Sequence, residues 1–198
     1  MEVGTPVSLM YGIRAVQEIK ERYPELLVLD DIKLCDGGSR SSRACLSKGA
    51  DLITILGVSD LTTIKAGIEE AESLGKQVVV DMIHVENLAE KIRQVDGLGA
   101  HIIGIHTGID SQAQGKRPLE ALKIARENVK NAKISVAGGL KDDEYLDEIL
   151  EYRPDILVVG NGIRKTEYPA VTANRIRQRM LNAEKGVKEW IMSDTESR

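Results

Sequence analysis

Short runs of apolar, mostly β-branched residues alternate with longer charged segments along this chain of 198 residues. Six runs are clear, at 26–33, 52–58, 77–83, 101–107, 133–139 and 155–162, and residues 1–5 look like the end of a seventh. The segments between them, such as 11–23, 61–75 and 118–131, place apolar residues at helical spacing. Apolar strands that alternate with amphipathic helices predict a parallel sheet covered by helices on its faces.

The positions of the polar residues favour one of two arrangements of that sheet, because both a doubly wound sheet and a (β/α)₈ barrel fit the alternation. Polar residues and glycines occur at the C-terminal ends of the strands: Glu2, Asp31, Lys33, Asp81, His84, His106, 138–139 and 160–162. A barrel gathers these ends around one mouth, whereas an open sheet spreads them along a line. We therefore predict an α/β fold, a (β/α)₈ TIM-type barrel, as a single domain over residues 1–190. The sequence predicts a closing helix at 170–190 and a frayed tail at 191–198.

Charge and composition exclude several classes of partner. The net charge is −4 and no basic stripe is present, so we expect no nucleic acid partner. No apolar run reaches the length of a membrane span and the start lacks a signal-peptide pattern, so we expect no membrane partner and a cytoplasmic location. Cys35 and Cys45 lack metal-type spacing with histidine, which is consistent with a reduced cytoplasmic protein.

The charged stretch that follows the 26–33 run is the first candidate for chemistry. On a strand, Asp31 and Lys33 share a face, and Asp36 follows beyond the strand end. Nearby carboxylates keep a lysine protonated, and a fixed positive charge can stabilise an oxyanion or enediolate. A carboxylate at a strand end is also a hard ligand for Mg²⁺. A salt bridge at the mouth explains the same residues equally well.

Glycines and a histidine supply the remaining candidates. The glycine-rich segments 137–139 and 159–162 follow the last two strands, where barrels commonly bind phosphate through backbone N–H groups. Two ordinary tight turns are the alternative. His106 at a strand end suits acid–base chemistry near neutral pH, although an isolated histidine is more often structural. We interpret His84 and His101 as structural.

Several motifs, in order along nearly the whole chain, carry a family resemblance. They are EVGTP (2–6), D-x-K-x-x-D (31–36), GADLITILGVSD (49–60), VVVDMI (78–83), HTGIDSQAQG (106–115) and AGG (137–139). Together they resemble the 3-hexulose-6-phosphate synthase branch of the orotidine 5′-monophosphate decarboxylase superfamily. The resemblance implies a (β/α)₈ barrel and a homodimer with shared active sites. In that family one more strand and helix come first, so this chain is expected to begin at the second strand.

The resemblance also implies the reaction. It is an aldol condensation of formaldehyde with D-ribulose 5-phosphate that gives D-arabino-3-hexulose 6-phosphate through a Mg²⁺-stabilised enediolate, as in formaldehyde fixation by the ribulose monophosphate pathway. By position, Glu2 and Asp31 would hold the Mg²⁺, and Lys33 would stabilise the enediolate.

The other roles that the resemblance implies concern proton transfer, the partner subunit and the phosphate. His106 would transfer protons, and Asp81 would be an acid near the substrate. Asp36 would complete a site across the dimer interface. The phosphate would be bound by Gly139, Gly160 and Asn161.

A sister branch, 3-keto-L-gulonate 6-phosphate decarboxylase, is the first alternative. That branch tends to carry a longer acid at position 81, an arginine at 109, a threonine at 137 and an arginine at 161. Here these positions hold Asp81, Ile109, Ala137 and Asn161, which favours the synthase. A truncated, non-catalytic paralogue that only dimerises is a further alternative, motivated by the missing first strand.

Overall fold

The computed structural model describes the backbone of residues 1–196 and the side chains of residues 1–183. Seven strands form its centre: β1 (Glu2–Val3), β2 (Leu29–Leu34), β3 (Leu52–Leu56), β4 (Gln77–Asp81), β5 (Ile102–His106), β6 (Lys133–Ala137) and β7 (Ile156–Val158). The helices are α1 (Thr5–Tyr11), α2 (Arg14–Arg22), α3 (Gly38–Leu46), α4 (Leu61–Ser73), α5 (Leu88–Gly97), α6 (Ile109–Ala113), α7 (Leu119–Asn128), α8 (Glu144–Glu151), α9 (Asn161–Arg164) and α10 (Pro169–Glu196).

Strand order confirms the predicted barrel and excludes the doubly wound alternative. All pairings are parallel and the sheet order is β1-β2-β3-β4-β5-β6-β7, the same as the order along the chain. A doubly wound sheet would reverse direction at a switch point. The strands instead curl in one direction into a nearly closed barrel, with helices between them. The C-terminal ends of all strands consequently meet at one mouth.

The core lies between the strands and the surrounding helices. Ile53 and Ile55 on β3 are fully buried, and so are Ile64 and Ile68 on α4. The β-branched side chains of Ile53 and Ile55 suit the pleated outer surface of a sheet. The apolar runs of the sequence therefore form the strands, and their outward-facing side chains pack against the surrounding helices.

Helices α3 and α4 pack closely through small residues. A Cβ atom on Gly38 would lie 2.2 Å from the backbone oxygen of Thr63, and one on Gly67 would lie 2.2 Å from Cδ1 of Ile55. Glycine at position 38 lets α3 approach α4, and glycine at position 67 lets α4 approach β3. This contact fixes the direction in which the chain leaves the mouth after Asp36.

The opposite end of the barrel holds polar groups with a structural role. Asp51, at the start of β3, accepts hydrogen bonds from Lys20, Lys76 and the backbone N–H of Val28 at 3.0, 2.6 and 2.9 Å. Nδ1 of His101 lies 3.3 Å from the backbone nitrogen of Val78 and accepts from it. Both groups join neighbouring strand ends at the face that barrels use for stability.

Two predicted helices differ from the structure in their bounds. The sequence predicts one helix over 11–23, but the chain forms α1 and α2, which Gly12 separates with a φ of 58°. Glycine adopts this left-handed conformation readily, so α1 ends there. The predicted closing helix over 170–190 is confirmed as α10, but α10 continues to Glu196, so the prediction of a frayed tail from 191 is wrong over 191–196. Residues 197–198 lie outside the described residues.

One result bears on the membrane prediction. No helix in the described part of the chain combines the length and the apolar character needed to cross a membrane.

Candidate active site

The barrel mouth opens into a cavity of about 1180 Å³. It is lined by eight of the nine residues that the sequence nominated: Glu2, Asp31, Lys33, Asp81, His106, Gly139, Gly160 and Asn161. They come from the four strands β1, β2, β4 and β5 and from the loops after β6 and β7, which the sequential winding of the barrel brings together. Asp36 is the exception, because it is exposed and lies outside the cavity lining.

An irregularity in β2 presents Asp31 and Lys33 to the cavity. Asp30 pairs with Ile53 and Leu34 pairs with Ile55, so three residues of β2 lie opposite the single residue Thr54. Lys33 takes a left-handed φ of 47° within this bulge. Simple strand alternation predicted that Asp31 and Lys33 share a face. They do meet, with Nζ 3.2 Å from Oδ1 of Asp31, but the bulge is what brings them together.

Lys33 lies between two carboxylates. Its Nζ is 3.2 Å from Oδ1 of Asp31 and 3.0 Å from Oδ2 of Asp81. Burial alone would lower the pKa of Lys33, but the negative charges and hydrogen bonds of Asp81 and Asp31 outweigh it, so the pKa is raised. The side chain is therefore a permanent ammonium at neutral pH, held in the cavity and aimed at any negative charge that develops there.

Asp81 connects Lys33 with His106. Its Oδ2 is 2.9 Å from Nδ1 of His106, and its Oδ1 accepts the backbone N–H of Ile83 at 2.9 Å. Burial would raise the pKa of Asp81, but the hydrogen bond and charge of His106 and the charge of Lys33 lower it overall. An ionised carboxylate only accepts hydrogen bonds, so Nδ1 of His106 carries a proton and Nε2 is left to exchange protons with a substrate.

Glu2 and Asp31 form the carboxylate pair that could hold a metal. Glu2 is exposed as a residue, but its carboxyl group lies in the mouth, where partial desolvation and the negative charge of Asp31 raise its pKa, although His106 and Lys33 act in the opposite direction. The positive charges near Glu2 therefore do not offset the desolvation and the charge of Asp31. In the described part of the chain, no three His, Cys, Asp or Glu side chains cluster as a complete metal site. Two carboxylates fit Mg²⁺, which binds oxygen ligands and usually keeps several waters.

The glycine-rich loops lie across the mouth from these acids. Gly138 and Gly139 have φ values of 112° and 71°, and a Cβ on Gly138 would lie 2.5 Å from the backbone oxygen of Thr107. Glycine is thus required there for both conformation and space. Around Gly160 nothing lies within 4 Å of a built Cβ, and Asn161 begins α9 beside it. The loop at Gly160 therefore leaves open space at the cavity edge where an anion could approach, whereas the loop at Gly138 and Gly139 packs against Thr107 and Gln112.

Sequence reasoning missed two hydroxyl groups that contact Asp31. Oγ1 of Thr5 on α1 donates to Oδ2 at 2.6 Å, and Oγ1 of Thr54 on β3 donates to Oδ1 at 2.8 Å. Thr54 was detectable as the one hydroxyl residue in the apolar run LITIL. The sequence carries no comparable signal for Thr5, because its contact depends on how α1 folds over β2.

Comparison with known proteins adds the family to this geometry. The model of the orotidine 5′-phosphate decarboxylase / HUMPS family matches residues 1–176. The chain belongs to this family. The protein named 3-hexulose-6-phosphate synthase in Bacillus subtilis is 43% identical over 178 residues, which cover 90% of this chain and 84% of the relative. The protein of that name in Staphylococcus epidermidis is 41% identical over 177 residues, with coverage of 89% and 84%.

Solved structures show the same fold. The crystal structure of 3-hexulose-6-phosphate synthase from Salmonella typhimurium superimposes with a TM-score of 0.89 at 40% identity, covering 92% of this chain and 86% of that one. The structure of KGPDC from Streptococcus mutans shares the fold, with a TM-score of 0.75 at 20% identity and coverage of 92% and 84%. The resemblance predicted from the motifs is confirmed, and the close homologues of this family member are named as synthases, which are lyases.

Proposed function

We propose that this protein is an aldehyde-lyase that joins formaldehyde to D-ribulose 5-phosphate and forms D-arabino-3-hexulose 6-phosphate. The observation that carries the proposal is the ammonium of Lys33, held 3.2 Å from Asp31 and 3.0 Å from Asp81 at the mouth of a barrel whose homologues are named for this product. An aldol reaction needs such a fixed positive charge, because removal of a proton from carbon leaves negative charge on the sugar oxygens.

The residues of the cavity divide the chemistry between them. The backbone N–H groups at Gly139, Gly160 and Asn161 would bind the phosphate and place the other end of the sugar near Lys33. A base takes a proton from C1 of the sugar, and the ammonium of Lys33 stabilises the charge that spreads over the oxygens of C1 and C2. C1 then forms a bond to the carbon of formaldehyde, and the new alkoxide takes a proton. His106, aligned by Asp81, is the group that would move these protons.

Glu2 and Asp31 would hold Mg²⁺ in this proposal. When bound, the ion would withdraw electron density from the sugar oxygens and make the C1 proton more acidic. The support for this assignment is the donor set, two carboxylates at the mouth, together with the raised pKa of Glu2.

A homodimer is the proposed assembly, with Asp36 reaching the cavity of the partner subunit. Two observations support it. Asp36 is exposed beside a cavity that it does not line, and the outer side of α1 exposes Leu9 by 81% and Met10 by 72%. Helix α1 also contacts the site directly, since Thr5 bonds to Asp31. An apolar surface next to an active site is suited to a second copy of the same chain.

Formaldehyde-dependent loss of ribulose 5-phosphate tests the proposal. We expect turnover with Mg²⁺ and its loss in EDTA. Lys33→Ala should lower kcat by about 10²–10³-fold, the usual effect of removing one group that stabilises developing charge. Lys65→Ala is the matched control, because Lys65 is exposed on α4 and pairs with Glu69.

Two results would contradict the assignment. Near-normal kcat in Lys33→Ala would remove Lys33 from the reaction. No turnover by the wild type, combined with decarboxylation of 3-keto-L-gulonate 6-phosphate, would favour the sister branch.

A further inference from the structure

Thr54 is the one polar residue on the inner face of β3. Its neighbours Ile53 and Ile55 are fully buried, and Ile55 packs outward toward Gly67 of α4. Thr54 points the other way, into the barrel, and is only 4% exposed. A buried hydroxyl in an apolar strand is stabilised only if its hydrogen bonds are made.

The hydroxyl of Thr54 replaces a hydrogen bond that the bulge removes. Three residues of β2 lie opposite Thr54, so the regular ladder between β2 and β3 is interrupted there. Oγ1 of Thr54 accepts the backbone N–H of Lys33 at 2.9 Å. This bond holds Lys33 in its left-handed conformation, which a non-glycine residue adopts only when its surroundings enforce it.

The same hydroxyl also fixes the carboxylate that Lys33 contacts. It donates its single hydrogen to Oδ1 of Asp31 at 2.8 Å, and Nζ of Lys33 lies 3.2 Å from the same oxygen. Thr54 therefore bonds to the backbone of Lys33 and, through Asp31, to the far end of its side chain. Movement of the Lys33 backbone or of the Asp31 carboxylate would break a bond to this hydroxyl.

We propose that Thr54 is a positioning residue, whose hydroxyl holds the Lys33 ammonium and the Asp31 carboxylate in the arrangement that the reaction uses. This inference rests on the proposed function for its kinetic consequence, but its structural consequence can be measured without turnover. Thr54 does not itself contact the glycine-rich loops, so its loss should affect kcat more than the KM for ribulose 5-phosphate.

Thr54→Val and Thr54→Ser form the test pair. Valine keeps the shape and removes the hydroxyl, whereas serine keeps the hydroxyl. We expect kcat of Thr54→Val to fall by about 10–100-fold with little change in KM, because small displacements of reacting groups have effects of this size. Thr54→Ser should restore most of kcat. Ser42→Ala is the matched control: Ser42 is a fully buried hydroxyl residue between α3 and α4, outside the lining of the cavity.

Acetylation of Lys33 by acetic anhydride, measured by mass spectrometry at one fixed pH, is the readout that needs no turnover. The salt bridges from Lys33 to Asp31 and Asp81, at 3.2 and 3.0 Å, should protect the amine in the wild type and in Thr54→Ser. In Thr54→Val, where Asp31 is no longer held, the lysine should react faster. If Thr54→Val loses the native circular dichroism spectrum, Thr54→Ala takes its place, since alanine removes the hydroxyl without adding a methyl group beside the N–H of Lys33.

The possible outcomes separate the two proposals. An inactive wild type contradicts the proposed reaction, while the acetylation rates still decide the role of Thr54. Unchanged kcat and unchanged acetylation in Thr54→Val would overturn the positioning role. A folded Thr54→Ser that is as impaired as Thr54→Val would also overturn it, because side-chain shape and not the hydroxyl would then be responsible.

Discussion

The carboxylates at the mouth of the barrel differ in whether nearby positive charge offsets their own negative charge. Asp81 is balanced, because Lys33 and His106 both contact its Oδ2, and its pKa is lowered. Glu2 is not balanced, and its pKa is raised, first by burial and then by Asp31. An acid with a raised pKa in the folded state lowers stability above its ordinary pKa, and the loss disappears when the pH falls below that value. The ionised carboxylate of Glu2 is therefore expected to lower the free energy of unfolding of the protein at neutral pH.

Glu2→Gln should consequently raise the thermal midpoint of the protein in EDTA at about pH 7.5, and the difference should shrink toward pH 4, where the carboxyl group is mostly protonated in both states. Added Mg²⁺ should raise the midpoint of the wild type and raise that of Glu2→Gln less. Differential scanning fluorimetry measures both effects, with Glu18→Gln on the exposed side of α2 as the control. A lower midpoint for Glu2→Gln in EDTA would show that the carboxylate is stabilising.

The residue scale also shows where sequence reasoning stops. Residue type and strand-end position were enough to nominate eight residues that line one cavity. The bulge opposite Thr54 was not predictable, because alternation along β2 describes a regular strand and the interruption arises from pairing with β3. The contacts of Thr5 and Thr54 with Asp31 depend on that same geometry, so they appear only in the folded chain.

At the scale of elements, the packing of α3 against α4 links stability to the site. Helix α3 begins two residues after Asp36, so its position determines where that carboxylate lies. Gly38 sits where α3 approaches the backbone of α4 most closely: a Cβ there would be 2.2 Å from the oxygen of Thr63 and 3.0 Å from the nitrogen of Gly67. Backbone atoms cannot move aside as a flexible side chain can.

Gly38→Ala should therefore destabilise the protein by about 1–3 kcal/mol through overpacking. Gly97→Ala is the matched control, since nothing lies within 4 Å of a Cβ built on Gly97 at the end of α5, and it should be neutral or stabilising by about 0.5–1 kcal/mol. Urea unfolding followed by circular dichroism gives both values. Equal urea midpoints for the two variants would show that α3 can shift away from α4 without loss of stability.

Elements with strong periodicity were predicted well, and short ones were not. All seven predicted strands are present. The helices predicted over 61–75 and 118–131 are present as α4 and α7, within a few residues of their predicted bounds. Strand β7 has three residues where the apolar run has eight, because Gly160 starts the turn into α9 soon after Val158. Helix α1 was missed, since its seven residues are mostly apolar on the exposed side and show no amphipathic period.

At the scale of the whole molecule, the position of Asp36 and the exposed side of α1 make a prediction about subunits. If Asp36 acts in the cavity of the partner subunit, Lys33 and Asp36 of one complete site come from different chains. Two inactive variants can then restore each other, because one of the two sites in a mixed dimer receives both native residues.

Lys33→Ala and Asp36→Ala, mixed in equal amounts after subunit exchange, should recover about a quarter of wild-type activity, since half of the dimers are mixed and each has one intact site. Lys33→Ala mixed with His106→Ala is the control, because both residues line the same cavity and no mixed site is intact. Sedimentation velocity on the same samples establishes the dimer. Failure of the first pair to recover activity while dimers are present would place Asp36 outside the partner's site.

The strict order of the strands has a consequence for how the chain folds. Every strand pairs with the next one along the chain, and paired residues are separated by as few as 21 positions, as with Ser135 and Ile156, and by at most 31, as with Ile102 and Lys133. The entropy of closing a loop changes slowly with length, so each pairing within the described sheet carries a similar closure cost. The barrel can therefore grow by adding one strand–helix unit at a time, in the direction in which a ribosome releases them.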